Sequence, residues 1–504
     1  MSKRPVFAGA KGRYQPGPSK ESGEVNLGAG VVSCTPIVAR SPWKTALEVV
    51  LSFVTVFIAL ECVCVAIGVD PIGARMMDVA SLQAALAFVG IDLAVGLVLI
   101  RTLFARLREE LPIEGEVPQV SVLLPLWNEG VSGARKTIEA WASQRGVGHE
   151  LLVGDDGSTD GSSQALVDAL GLAAVTSNHF TGEVNGTRVQ LFRLPHSGKG
   201  ATLNALSRHA QHAVLVTVDA DTIPTEGSLR RLAAAFRDEQ VDMATGVVSI
   251  SNGREGWLLG NQSAEYLKNA LVRIAWSTLG GLDQVPGAFT GIRANVFHAV
   301  GGLPEDSLTE DYELTFRVME HGVERGRAPK VATVLRAQVF TQGPSTVKGF
   351  IRQRTRWFAG FISTLLKFRR LIFDPRAGAY GLVRLPLKCL DAVLPALAFA
   401  SLVVLVRGGV VSALGISRLS LTLFAVRWVW DLIIFAMALT ASKRLGDGPS
   451  TERAAPPLMT AWFFTGFEAL TYVWLKHAAA LRGTAWAMWR LRRWETSREP
   501  TPEP

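Results

Sequence analysis

Carboxylates at the ends of apolar runs are the residues of this chain best placed to do chemistry. The string Asp155-Asp156-Gly157-Ser158-Thr159-Asp160 directly follows the apolar run Glu150–Gly154. If that run is a buried parallel strand, its carboxylates stand at the carboxyl edge of a sheet, where open α/β sheets bind ligands. Asp, Gly and Ser are also the default turn residues, so the string reads as either a tight turn or a site. A second acidic pair, Asp219 and Asp221 in VDADT, follows the run Ala213–Val218. Residues two apart in a strand return to one face, so these carboxylates can share a hard cation with the phosphates of a nucleotide. A divalent metal is thus implied, one that would neutralise a diphosphate leaving group. A second Asx turn is the alternative.

Three further segments join them. Ser197–Asn204 (SGKGATLN) lacks the spacing of a phosphate loop, because Gly200 and not Ser or Thr follows Lys199. Lys199 and Asn204 at a helix start can still contact a phosphate or base, since helix N-termini attract anions; a solvated lysine is the competing reading. In Leu308–Leu314 (LTEDYEL), Thr309 suits an N-cap, with Glu310 and Asp311 in the favourable first turn. The functional alternative makes Asp311 a general base near a sugar hydroxyl. In Gln353-Arg354-Thr355-Arg356-Trp357, an aromatic platform beside guanidinium donors suits a sugar ring next to a diphosphate, and an interfacial anchoring tryptophan is the competitor.

The elements that must position these residues follow from pattern. Val120–Pro125, Glu150–Gly154 and Ala213–Val218 read as buried parallel strands, and Arg135–Gln144 and Gly227–Phe236 as covering helices, which predicts an α/β domain over residues 111–345. The 504-residue chain is 48% apolar with a mean hydropathy of +0.24, too hydrophobic for an ordinary soluble protein of that length. Val49–Val69 and Val79–Ile100 are long enough to cross a bilayer, as are Pro386–Val406, Leu419–Leu439 and Pro457–Leu475. Glu61, Asp92, Arg427, Asp431 and Glu468 fall in these apolar stretches, where a charge must face a bundle interior or a wet path.

The expected organisation is therefore a disordered basic arm (1–44), a transmembrane hairpin (45–110), the α/β domain (111–345), interfacial helices (346–379), C-terminal transmembrane helices (380–480) and a basic tail (481–504). Basic residues flank the hairpin on both outer sides, placing those flanks and the α/β domain in the cytoplasm. Odd span parity puts the tail outside, whereas Arg482, Arg490, Arg492, Arg493 and Arg498 argue for the inside. The net charge of +8 fits membrane flanks and does not call for nucleic acid. Four scattered cysteines exclude a disulfide framework, and His209 with His212 is a solvated helix pair in preference to a zinc site.

The order Asp155-Asp156, Lys199, Asp219-x-Asp221, Thr309-Glu310-Asp311 and Gln353-x-x-Arg356-Trp357 resembles the processive membrane-integrated family 2 glycosyltransferases, among them cellulose, chitin, curdlan, hyaluronan and poly-N-acetylglucosamine synthases. Gly198-Lys199, Leu203-Asn204, Val285–Phe289 (VPGAF) and Gln353–Gly360 look most like the poly-N-acetylglucosamine and chitin-oligosaccharide branch. The resemblance implies a GT-A fold, Rossmann-like in its nucleotide half, embedded between transmembrane helices, with a UDP-sugar donor (N-acetylglucosamine or glucose) and Mg2+ or Mn2+. Carried over, Asp156 would contact uridine with Asp155 beside it, and Lys199 would lie near the nucleotide. Asp219 and Asp221 would hold diphosphate and metal. Glu310 and Asp311 would be catalytic, with Asp311 the base of an inverting transfer. Gln353, Arg356 and Trp357 would hold the diphosphate and the growing glycan at a channel mouth.

An inner-membrane enzyme that exports its polysaccharide, with possible accessory subunits, is thus expected. The rivals are a non-processive enzyme acting on a lipid acceptor and a binding or transport subunit with a degenerate site. No cyclic-dinucleotide module is expected after the last span, and Thr309-Glu310-Asp311 departs from the Gly-Asp-Asp form usual in hyaluronan synthases.

Overall fold

The computed structural model describes residues 115–282, 284–407 and 471–496, Glu468, and scattered helical positions within 44–54, 96–100 and 428–437. Most of the expected arm, hairpin and spans Leu419–Leu439 and Pro457–Leu475, with Glu61, Asp92, Arg427 and Asp431, lies outside the described residues. Among the described residues no helix is long and apolar enough to cross a membrane.

The α/β expectation holds. The first half of the body alternates strands and helices: β1 (Val120–Leu126), α1 (Val131–Ala142), β2 (His149–Asp155), α2 (Ser162–Ala169), the hairpin strands β3 (Ala173–Thr176), β4 (His179–Val184) and β5 (Thr187–Arg193), then α3 (Lys199–Ser207) and β6 (Val214–Val218). The second half runs β7 (Ile223–Pro224), α4 (Ser228–Ala234), β8 (Val241–Ile250), α5 (Trp257–Thr278), β9 (Phe289–Arg293), α6 (Ala294–Ala299), α7 (Glu310–Glu324) and β10 (Lys330–Thr341). Helices α8 (Val347–Lys367), α9 (Leu385–Arg407) and α10 (Tyr472–Thr496) follow. The expected span Pro386–Val406 falls within helix α9, which carries Pro395 and the Lys388–Asp391 ion pair and, among the described residues, is not a membrane-crossing helix; α10 runs through the expected junction between residues 480 and 481.

The strands form one ten-stranded sheet in the order β3-β4-β5-β2-β1-β6-β9-β8-β10-β7. Strands β5, β2, β1 and β6 are parallel neighbours, so their carboxyl ends share one edge. Strand β9 enters antiparallel between β6 and β8, with Val214 opposite Arg293 and Met243 opposite Ile292. β1 is buried throughout, as a strand covered on both faces must be. Its ladder to β6 ends at the Leu123–Thr217 pair, and Pro125, which has no N–H to donate, follows where the two strands have parted.

Helix α1 buries Ala134, Ile138 and Trp141 on one face, the spacing of an amphipathic helix. Trp141 is fully buried, worth roughly 1.5–3 kcal/mol of apolar burial, and its Nε1 donates to the Thr222 carbonyl at 2.9 Å. The helix thus anchors the turn that carries Asp219 and Asp221.

Candidate active site

The loops after β1, β2 and β6 and the start of α7 converge at the carboxyl edge. Lys199, the first residue of α3, is the hub. Its Nζ lies 2.7 Å from Asp219 Oδ1 and 2.8 Å from Glu310 Oε1. Burial works against its charge, but the carboxylates of Asp219, Glu310 and Asp311 outweigh it and hold the ammonium above its ordinary value. Lys199 is therefore an ion-paired cation bridging two segments, not a solvated lysine. Asn204, one turn later, is committed elsewhere. Its amide donates to the Leu303 carbonyl at 2.9 Å and its Oδ1 accepts the Leu303 N–H at 2.8 Å, so it clamps the approach to α7.

Asp311 is the most perturbed carboxyl of the group. Its Oδ2 accepts the Gly287 N–H at 2.8 Å, and its Oδ1 accepts the Tyr312 N–H at 2.8 Å. Burial, then the Glu310 charge, push it up to about 6, against the pull of Lys199 and the two N–H donors. Glu310 moves the other way: burial works to raise it, and Lys199 prevails and holds it below the usual carboxylate range. Two adjacent carboxyls are thus driven apart, one kept as an anion and one poised to take a proton near neutral pH. A pocket opens beside them, polar at Lys199, Glu310 and Asp311 and apolar at Leu203, Val285 and Leu314.

The close approach of Gly287 leaves little room for a side chain. A Cβ there would come within 3.1 Å of the Asp311 Cβ and 3.2 Å of the Lys199 ammonium. Thr309 sits at the N-cap of α7, but its hydroxyl makes no capping bond. It is buried without a partner, facing Gly360 of α8, where a Cβ would overlap it. The capping explanation for Thr309-Glu310-Asp311 is therefore incomplete.

Asp219 and Asp221 are close for a different reason from strand alternation. β6 ends at Val218, and a turn closed by the Thr222 N–H on the Asp219 carbonyl (3.1 Å) carries both. Asp221 Oδ2 accepts from Thr341 Oγ1 at 2.9 Å and from the Gln342 N–H at 3.2 Å. Burial and the Asp219 charge raise its carboxyl. Glu129, in the loop after β1, is raised by burial and by Asp221, Asp219 and Asp160. Lys199 offsets part of the Asp219 charge, while Asp221 and Glu129 are still raised by the crowding of carboxylates, and hard oxygen donors gathered in one turn fit a divalent cation. Among the described residues no group of three or more His, Cys, Asp or Glu could hold a metal, so donor phosphates and water would have to complete the shell.

Asp155 and Asp156 are only 4% and 3% exposed. Asp155 Oδ1 accepts the Ser158 N–H at 3.0 Å, the Asx turn its sequence suggested. Asp156 accepts the N–H groups of Ser197 (2.8 Å) and Gly198 (3.0 Å), fixing the loop that delivers Lys199. In QRTRW, Arg356 is exposed and its Nη1 donates to the Leu308 carbonyl at 2.8 Å, tying α8 to the entry of α7. Trp357 is half-buried, and the Gln353 Oε1 is buried without a partner.

Other residues of the site have no motif to reveal them. Exposed Trp127 stacks on His196, with centroids 4.9 Å apart; its place after the first strand was the available signal. The Tyr266 phenol is pushed up to about 12 by burial, with Glu265 and Asp219 also raising it and Arg354 and Arg273 opposing. Glu468 in its apolar stretch is paired, its Oε2 lying 2.6 Å from Lys268 Nζ.

Comparison with known proteins agrees with this assembly. Residues 121–300 match the model for glycosyl transferase family 2, and residues 214–443 match that for glycosyl transferase family group 2. A probable glycosyltransferase of Bacillus subtilis is 27% identical over 279 residues, 51% of this chain and 61% of that protein. A beta-monoglucosyldiacylglycerol synthase of Nostoc is 24% identical over 291 residues, 57% of this chain and 59% of the other. A poly-beta-1,6-N-acetyl-D-glucosamine synthase of Staphylococcus epidermidis is 24% identical over 255 residues, 50% and 57% respectively. The chain spans less than two thirds of the length of these relatives. Within residues 121–443 the chain is thus similar to family 2 glycosyltransferases, matching their two domain models over 121–300 and 214–443.

Proposed function

We propose that the protein is an inverting β-glycosyltransferase that polymerises a sugar from a UDP-sugar, N-acetylglucosamine or glucose, on a GT-A-type body. The observation that carries this reading is Asp311, a carboxyl raised toward neutrality beside the Lys199–Asp219–Glu310 cluster. Asp311 takes the proton of an acceptor hydroxyl as the oxygen bonds to the anomeric carbon; the bond to the diphosphate breaks from the opposite face and UDP leaves with its electron pair. Lys199 supplies fixed positive charge near the departing diphosphate. Mg2+ or Mn2+ held by Asp219 and Asp221 would neutralise that charge further. Trp127 offers a flat face for the base. Trp357 and Arg356, tied to the entry of α7 through Leu308, present the acceptor glycan.

The apolar stretches flanking the body support a multi-pass inner-membrane placement with the site in the cytoplasm and the product exported, with or without accessory subunits. A second reading, transfer of one sugar to a membrane lipid, is favoured by the likeness to the glucosyldiacylglycerol synthase, which covers as much of this chain as that to the polysaccharide synthase. Product sizing separates the two. A ladder of long chains supports polymerisation, whereas a single lipid-linked sugar supports the second reading.

A further inference from the structure

The acceptor side of the site has a support that none of its motifs names. Arg354 lies within QRTRW, and its guanidinium is held in a buried ionic contact. Arg354 Nη2 donates to Glu265 Oε2 at 2.8 Å and Nη1 to Oε1 at 3.4 Å, and both side chains are only 12% exposed. The Tyr472 hydroxyl of α10 donates to the same Glu265 oxygen, and Lys476 Nζ stands 3.5 Å from the other. Glu265 is thereby fixed from α8 and α10 at once. The Arg354 guanidinium lies over the Trp357 ring, 4.4 Å from its centroid, and over Phe350 at 5.1 Å. Phe350, Arg354 and Trp357 share one face of α8, being four and three residues apart. A planar cation locked at its rim by a carboxylate and laid against an indole restricts that indole's rotation.

We propose that Glu265 and Arg354 are positioning residues for acceptor transfer: Glu265 holds the Arg354 guanidinium flat against Trp357 and so sets the indole face offered to the acceptor sugar. This rests on the reading of Trp357 as the acceptor platform. Removing the carboxylate frees the guanidinium to turn, and the indole loses its backing. Donor binding, made at Lys199, Asp219 and Asp221, is left alone. Lysine at 354 keeps the charge but not the planar fork, so it does not substitute.

The test uses the full chain in lipid nanodiscs, wild type against Glu265→Gln and Arg354→Lys, with the doubly neutral Glu265→Gln/Arg354→Met added in case an unpaired buried charge unfolds a single variant. Protein labelled with 5-fluorotryptophan is read by 19F NMR, the Trp357 resonance being assigned by its loss in Trp357→Phe. UDP affinity is read by calorimetry, and acceptor KM with cellotetraose or chitotetraose according to the donor that turns over. The expected result is a shifted or broadened Trp357 resonance, an acceptor KM raised about tenfold or more, kcat within about threefold, and UDP affinity within about twofold. An unmoved Trp357 resonance in folded variants overturns the proposal, and so does a fall of UDP affinity in step with acceptor KM. A moved resonance with unchanged acceptor KM upholds the clamp and refutes the acceptor-platform reading beneath it.

Discussion

The backbone N–H of Gly287 donates to Asp311 Oδ2 at 2.8 Å, so the VPGAF segment grips the carboxyl that would take the acceptor proton. That bond alone would lower the carboxyl. Burial and the neighbouring Glu310 override it and bring the group to about 6. A base so placed is an anion at neutral pH and still able to accept a proton.

Asp311→Asn should cost about 10²–10⁴ in transfer rate while UDP affinity stays within about twofold. The wild-type rate should fall with unit slope as pH drops below about 6. Because the carboxyl is raised relative to the unfolded chain, its contribution to stability is fully present below about pH 4 and is lost as pH rises through about 6. The Asn variant should therefore melt higher than wild type at pH 8 and the same at pH 4, read by thermal denaturation at both.

Lys199→Met removes a cation shared by Asp219, Glu310 and Asp311. With that pull gone the Asp311 carboxyl should climb further, moving the acid limb of the pH–rate profile to higher pH. A limb that stays in place would separate Lys199 from the base electrostatically.

Asp221→Ala should abolish the Mn2+-dependent part of UDP binding and leave any metal-independent part, as calorimetry with and without Mn2+ would read. The same substitution frees Thr341 and the Gln342 N–H, so a control at Thr341→Val isolates the local structural effect.

Gly360→Ala would drive a methyl into Thr309 across the contact between α8 and α7. Overpacking of this kind costs about 1–3 kcal/mol, and because Thr309 directly precedes Glu310 and Asp311, kcat should fall along with Tm. Restoring room with Thr309→Ala in the Gly360→Ala background should recover both in part.

The parallel strands β1, β2 and β6 were legible because continuous β-branched and leucine runs have few other uses in an α/β domain. The antiparallel insertion of β9 was not, since a five-residue strand carries no sign of its direction. Asp219 and Asp221 were legible as a pair, though the turn that joins them is held by Trp141 from a distant helix. The pairing of Asn204 with Leu303 was not legible, because that partner is remote in the chain. Glu265 had no signature at all: a single glutamate in a helix acquires its role only when α8 and α10 pack around it.

The most direct test of the account is UDP release by the full chain in nanodiscs, offered UDP-N-acetylglucosamine or UDP-glucose with Mg2+ or Mn2+, in wild type and Asp311→Asn. Metal-dependent release on one donor by wild type is expected, with at least a hundredfold less by the variant and UDP binding retained in both. Comparable release by the variant, or none by wild type on either donor, would contradict it.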